Sequence, residues 1–404
     1  MHIAVECGPW LRYHGTNHTT RAGTLDKAET IARVGSYLLL HRLAQGERSD
    51  VFLALDLGSS EGQRLLVFKR LRPEHEQDPE QVARFLDQAL VSARVQHPGI
   101  ARIHDFGSLA GQSFVAQEYV QGAALSTLVS LLGERGVRFP LRAALHIGVK
   151  VATALHAAHT CTGPRDRPSP IVHRDVTLRN VLVSYQGEVK LVGFDLAQAE
   201  SRFSVTVPGQ LKGTLAYLTP EQLLGQPVGP ATDVYQLGVQ LYKLLVGREP
   251  IPGGADVDTM EKIVDGAVVP PHEVVAGFPA ELEALLLQAL HRDPAQRFDT
   301  AHSLAEALSA QLAAHGGFSA QQLAALLSTM TGERRALQQT FLRRLTDANA
   351  QRPPRIQSAT PAPRAPRQDL DQGVRALFPW ARVGDEPAEF EVELSSPETE
   401  PTGD

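Results

Sequence analysis

The chain has 404 residues, enough for one large or two ordinary domains with filled cores. Its 43% hydrophobic and 21% charged content is that of a globular protein, and a net charge of −6 excludes a general pull toward nucleic acid or anionic lipid. Two cysteines, Cys7 and Cys161, exclude a disulfide framework and point to a reducing, cytoplasmic setting, and no apolar run approaches the roughly 20 residues that span a bilayer. Residues 1–35 are polar and irregular, without the basic-then-apolar order of a signal peptide, and are expected to form a loose leader. From Ser36 the pattern sharpens. The stretches SYLLLHRLAQ, DVFLALDL and RLLVFKRL predict three strands separated by turn-rich segments. DPEQVARFLDQALVSARVQ predicts an amphipathic helix opened by Asp78 and Pro79 and stopped at His97-Pro98-Gly99. IARIHDFGSLAGQSFVAQEYV adds two strands, so residues 36–120 read as a small unit of five strands and one helix.

Beyond residue 120 the chain turns helical. Apolar residues recur at helical spacing in PLRAALHIGVKVATALHAAHT, ATDVYQLGVQLYKLLVG, PAELEALLLQALHRD and TAHSLAEALSAQLAAH. Only IVHRD, VLVSYQG and EVKLVGF read as strands, all short, within a second unit over 121–314. Residues 318–348 predict two further helices, with Ser319 and Thr331 as N-caps. From 349 to 404 a Pro/Arg linker leads to an acidic tail expected to be disordered. Within that tail, Leu370, Val374, Leu377, Phe378 and Trp380 suit either a docking peptide, with 368–404 as the docking segment, or a local cap on the domain.

The order of a strand-rich unit, a lone Lys69, a helix, His173-Arg174-Asp175, Asn180, a strand and then GTLAYLTPE resembles the eukaryotic-like Ser/Thr protein kinases of bacteria. Asn180 follows Asp175 by five residues and Gly193 follows Asn180 by thirteen, the spacing of that family's asparagine and metal-binding aspartate. The resemblance covers about 37–312. It implies an α+β, bilobal kinase fold over 36–314, with a small five-stranded antiparallel N-lobe bearing one helix (36–120) and a large, mainly helical C-lobe (121–314). It implies ATP with Mg or Mn as cofactors, and a protein substrate or a partner kinase as partner.

Residue by residue, the resemblance gives Lys69 the α- and β-phosphates, Asp175 the substrate hydroxyl and Asn180 a metal ion. Leu43, Gly46, Val51, Val67, Glu118, Val120 and Leu182 would surround the nucleotide, with Gln117 behind it and backbone groups of Glu118 and Val120 meeting the adenine. Structural parts fall to Gln88, His173 and Phe194, to Arg174 beside the activation segment, to Asp233 under the catalytic loop, and to a Glu221–Arg297 salt bridge.

Three departures fall on the phosphate-binding surface. The glycine-rich loop reads Ala44-Gln45-Gly46-Glu47-Arg48-Ser49, keeping one glycine of three, with an added negative charge at Glu47. Nineteen residues after Lys69, where a glutamate would pair with it, stands Gln88, which costs about 1–2 kcal/mol, the difference between charged and neutral hydrogen bonds. The motif that should open with the metal aspartate opens with Gly193, and the acid follows as Asp195. Residues i and i+2 of an extended chain stand roughly 6–7 Å apart. A Mg–O bond of about 2.0–2.1 Å does not tolerate that offset, so Asp195 serves the metal only if the turn reshapes. Losing metal polarisation costs several kcal/mol of barrier, about a thousandfold or more.

Two main readings follow, beside a third, a kinase fold that moves a different part of ATP, against which the whole GTLAYLTPE segment speaks. One is a pseudokinase or strongly impaired kinase that acts as a scaffold or allosteric regulator. The other is an active Ser/Thr kinase in which Asn180 or Asp195 holds the ion. Thr177, where most such kinases carry lysine, does not separate them. His156 and His159 are not expected to bind metal, Cys161 is expected to be an ordinary thiol, and Ser201, Ser204 and Thr206 are either phosphorylation sites or plain loop polarity.

Overall fold

The computed structural model describes residues 32–59, 63–163, 167–194, 218–253 and 256–350. The leader up to 31, the segment 195–217 and the linker and tail from 351 lie outside them. Asp195, Ser201, Ser204, Thr206, the start of the GTLAYLTPE motif and the 370–380 cluster therefore fall outside the described residues.

The N-lobe is one antiparallel sheet of β1 (Ala32–Val34), β2 (Tyr37–Gln45), β3 (Ser49–Asp56), β4 (Arg64–Leu71), β5 (Ile103–Leu109) and β6 (Gln112–Glu118). Their order is β1-β2-β3-β4-β6-β5. It has six strands where five were expected. Ala32–Val34 pairs with Tyr37–Leu39 through a tight turn, and Val34 is fully buried, so the folded unit reaches back to residue 32, into the stretch whose polarity suggested a leader. Alternation sorts the strands onto two faces. Tyr37, Phe52, Phe68 and Phe114 fill one face, with the Phe68 and Phe114 rings stacked at 5.2 Å. Leu40, Leu43, Val51, Leu53, Leu55 and Val67 fill the other. On β4, Lys69 alternates with Phe68 and so falls on the Val67 face.

Helix α1 (Pro79–Ala93) starts where Asp78 accepts hydrogen bonds from the backbone N–H groups of Glu80 and Gln81, with Pro79 in the first turn. Phe85, Leu86, Ala89 and Ala93 pack it onto Phe106 and Val115 of the sheet. The chain then enters the C-lobe through Tyr119 and Val120. There β7 (Gly122–Ala124), β8 (Val181–Ser184) and β9 (Val189–Leu191) form a small sheet. IVHRD is not a strand. The N–H groups of His173 and Arg174 turn to the Asp233 carboxylate of a buried helix, which removes them from any ladder.

The helices are α2 (Leu125–Glu134), α3 (Leu141–His159), α4 (Pro220–Leu223), α5 (Pro230–Val246), α6 (Asp256–Asp265), α7 (Pro271–Val274), α8 (Ala280–Ala289), α9 (Ala301–Ala314) and α10 (Ala320–Ala350). Helices α3, α5, α8 and α9 enclose one core around Leu145, Leu155, Leu241, Leu286 and Leu308. Ser319 caps α10 together with Gln322, as its sequence suggests. Two helical stretches meet at Thr331, as expected: its non-helical φ of −124° makes a kink in α10, where its hydroxyl donates back to the Leu327 carbonyl at 2.7 Å. Among the described residues no helix is long and apolar enough to cross a membrane.

Candidate functional site

Asp233, fully buried on α5, organises the loop between α3 and β8. Its carboxylate accepts the backbone N–H groups of His173 and Arg174, each at 2.8 Å, and meets His159 Nε2 at 2.7 Å. This holds Arg174 at φ +67°, a conformation few non-glycine residues adopt. Gln236 and Gln240, three and seven residues along the same helix, extend the anchoring. Gln236 accepts from the Val176 N–H at 3.0 Å and donates to the Arg174 carbonyl at 2.9 Å, while Gln240 accepts from the Leu178 N–H at 3.2 Å. Sequence reading missed these two glutamines. Their helical spacing from Asp233, on a helix otherwise apolar on that side, was the available signal.

The anchored loop brings Asp175 and Asn180 together. Asn180 Nδ2 donates to the Asp175 carboxylate at 2.7 Å and to its carbonyl at 2.8 Å. Burial raises the Asp175 pKa, against the lowering influence of His173 and Asn180. His173 Nδ1 accepts from the Asp175 N–H at 3.2 Å, so its Nε2 carries the proton and donates to the Val192 carbonyl at 2.9 Å. The fully buried imidazole meets the Phe194 ring edge-on at 4.5 Å. Ser92 of α1 closes the chain of contacts by donating to the Phe194 carbonyl at 3.3 Å.

Gly193 stands between Val192 and Phe194 at φ +92°. A Cβ built there would lie 3.0–3.1 Å from the Asn180 amide atoms, tighter than most real contacts. Glycine is the residue this backbone and this neighbour accommodate without adjustment.

Lys69 is 5% exposed and lines, with Gln88, a cavity of about 190 Å³ between the sheet and α1. Arg48 and Arg84 line the same cavity, and among the described residues no carboxylate does. Three basic side chains thus border one cavity, with Arg84 paired to the Glu80 carboxylate at 2.5 Å, a feature that the missing glycines of the loop do not reveal. The loop itself is a tight turn, with the Gly46 N–H donating to the Ser49 carbonyl at 2.9 Å. Arg72 donates to the Gly46 carbonyl at 3.3 Å and His75 meets the Glu47 carbonyl at 3.1 Å, so the turn is tied to the segment after β4.

The expected adenine contacts fall in two apolar clusters. Leu43, Val51 and Val67 belong to the sheet side, whereas Leu182 and Val120 group with Ala101 and Val192 on the C-lobe side. Gln117 donates to the Ala101 carbonyl at 3.2 Å behind them. The Glu118 carboxylate pairs with Lys190 at 2.8 Å and accepts the Arg102 N–H at 3.0 Å. Farther away, the Arg297 and Glu221 side chains form two parallel hydrogen bonds of 2.9 and 2.8 Å. The site residues within the described chain thus assemble in two groups, around Asp175 and around Lys69, with Glu221–Arg297 apart from both.

The profile described as the protein kinase domain matches residues 37–309. The chain belongs to the protein kinase family. It is 36% identical over 302 residues to the tyrosine-protein kinase MasK of Myxococcus xanthus, covering 74% of this chain and 47% of that one. Over 358 residues it is 32% identical to the serine/threonine-protein kinase PknA of Mycobacterium tuberculosis, covering 86% and 77%. A probable serine/threonine-protein kinase of Clostridium perfringens is 31% identical, with 66% of this chain and 37% of that one covered, so the chain spans half or less of two of these relatives. The crystal structure of the M. tuberculosis PknI kinase domain superposes with a TM-score of 0.52 at 25% identity, over 70% of this chain and 99% of that one.

Kinase domains use ATP with Mg or Mn. Among the described residues Asn180 offers such an ion one amide oxygen and Gly193 no side-chain ligand, and no three His, Cys, Asp or Glu side chains cluster, while Asp195, the other expected ligand, lies outside them.

Proposed function

We propose that this chain is a kinase-fold signalling protein whose phosphotransfer is strongly impaired, and that it works chiefly as a scaffold or allosteric regulator of a partner kinase or other protein. The observation that carries this reading is the glycine at 193, where an added Cβ would press on Asn180. The place where a metal-binding carboxylate would begin is bordered at 3.0–3.1 Å by an amide already committed to Asp175. Gln88 and the pinned turn at Gly46 weaken the same surface. The cationic cavity around Lys69, Arg48 and Arg84 favours retention of a nucleotide's phosphates, so binding outlasts transfer in this reading.

Incubation with labelled ATP and Mg²⁺ or Mn²⁺, beside an Asp175→Asn control, tests the proposal. Incorporation no greater than in the control is the expected result, and robust incorporation that the control abolishes refutes it. A second reading, an active kinase acting on a protein hydroxyl, is favoured by the complete anchoring of the catalytic loop through Asp233, Gln236 and Gln240. Relatives bear both serine/threonine and tyrosine names, so the acceptor hydroxyl is open in that reading.

Gln88→Glu offers a finer measure. It places an anion in the cavity that Lys69 lines; if the two pair, the gain is about 1–2 kcal/mol and hence roughly tenfold in ATP affinity or residual transfer. The two can be read by titration and by the labelled-ATP assay. A gain far above tenfold would move the principal defect from Gly193 to α1.

A further inference from the structure

Helix α10 begins after the kinase-domain match ends at residue 309, yet it touches both lobes. Its first half is rooted in the C-lobe. Leu323 and Leu327 are fully buried in the large core, and Gly187, at φ +83°, lets the β8–β9 turn approach the Ala320 carbonyl where a Cβ would collide with it. The kink at Thr331 redirects the helix.

The second half reaches the lobe connection. Gln338, 4% exposed, donates from Nε2 to the hydroxyl of Tyr119 and accepts at Oε1 from the Tyr185 hydroxyl at 2.9 Å. Tyr119 lies between Glu118 and Val120, the two positions expected to meet adenine through their backbone. One turn on, Phe341 meets His41 of β2 edge-on at 5.2 Å. Leu342 is buried in the apolar cluster that contains Leu43, Val51 and Val67.

These contacts bear on access. Leu43 is 6% exposed, and Val51, Val67 and Leu182 are each 2% exposed. The clusters above and below the expected base remain separate, and their core members are shielded from solvent, while Val120 at the edge of the lower one is partly buried. A flat base enters between them only if something at the rim moves. The end of α10 is the element from outside the family domain that stands on the upper cluster.

We propose that the second half of α10 is an intramolecular cap: Leu342 and Phe341 close the rim of the adenine slot, and Gln338 latches the cap to Tyr119 and Tyr185. The ligand it excludes is an adenine nucleoside or nucleotide. The assignment of the slot rests on the kinase reading above, whereas the cap does not depend on whether phosphate is transferred. Nucleotide affinity is reduced by the fraction of molecules whose cap is open, so weakening the cap tightens binding.

The test uses the full chain and adenosine, which has no phosphates and needs no metal, titrated calorimetrically in the presence of a chelator. Leu342→Asp is expected to tighten adenosine binding by about tenfold or more. Gln338→Ala is expected to tighten it by a smaller factor, and Leu342→Met to leave it as in the parent. General damage to the fold would weaken binding, so a gain is not a by-product of instability. If Leu342→Asp fails to fold, Gln338→Ala decides by the same sign. Unchanged or weaker binding in these variants, or no measurable binding by any of the proteins, overturns the cap. Failure of the impaired-transfer reading would appear instead in the labelled-ATP assay and would leave the adenosine result standing.

Discussion

Arg297→Ala is expected to destabilise the protein by about 3–5 kcal/mol, read as a shift in the urea or thermal unfolding midpoint. Arg297 is 3% exposed and uses all five of its N–H donors. Two go to the Glu221 oxygens, and the others to the carbonyls of Ala231, His291 and Arg292. Its guanidinium also lies 4.7 Å from the centre of the Tyr235 ring. Truncation strands the 2%-exposed Glu221 carboxylate without its cation, while the neutral Thr232 hydroxyl goes on donating to it at 2.8 Å. The cost is that of an uncompensated buried charge, not the net worth of the pair. Arg297→Lys keeps the charge but cannot reproduce the parallel fork or reach all three carbonyls, so it should recover only part of the loss. Glu221→Gln combined with Arg297→Met should cost less than Arg297→Ala alone, because no buried ion is then stranded.

The same pair predicts acid sensitivity. Burial pushes the Glu221 carboxyl up, but the hydrogen bonds and charge of Arg297 outweigh it and hold its pKa below the ordinary value. A carboxyl whose pKa is depressed by folding contributes stability that is present above its unfolded value. That contribution is lost as pH falls through the folded value. The Arg297→Met, Glu221→Gln protein should therefore show a flatter decline in stability below about pH 4 than the parent, since the group responsible no longer titrates.

The strands over 37–56 and 64–71 and the helices at 79–93, 141–159, 230–246 and 301–314 were legible because their apolar spacing has only one regular solution at each place. The encounter of Asp175 with Asn180 was legible through spacing and resemblance. β1 was not, because three residues carry no period and their burial depends on a hairpin with Leu38 and Leu39. Ile171–Asp175 looked like a strand by composition, but Asp233, some sixty residues later, claims the N–H groups of His173 and Arg174. The destination of α10 was the least legible feature. Its pattern announces an amphipathic helix, while the surface that receives Leu342 is assembled from strands roughly three hundred positions earlier.

Gly193→Asp is expected to trade stability for metal-dependent function. The left-handed φ of +92° and the Asn180 amide 3.0–3.1 Å from the new Cβ should lower stability by about 1–3 kcal/mol. At about 2–4 °C per kcal/mol for a domain of this size class, the melting temperature should fall measurably. The carboxylate, in exchange, supplies a hard cation with the oxygen that position 193 lacks. Restored polarisation of the transferred group is worth several kcal/mol, so phosphate transfer should rise by about a hundredfold or more over the parent. The rise should require Mg²⁺ or Mn²⁺ and disappear when Asp175→Asn is added. Adenosine affinity should stay unchanged, since the substitution lies at the phosphate end of the site. Loss of stability without metal-dependent gain would mean that the missing carboxylate is not what limits the reaction, and Gln88 and the pinned turn at Gly46 would then have to carry the explanation.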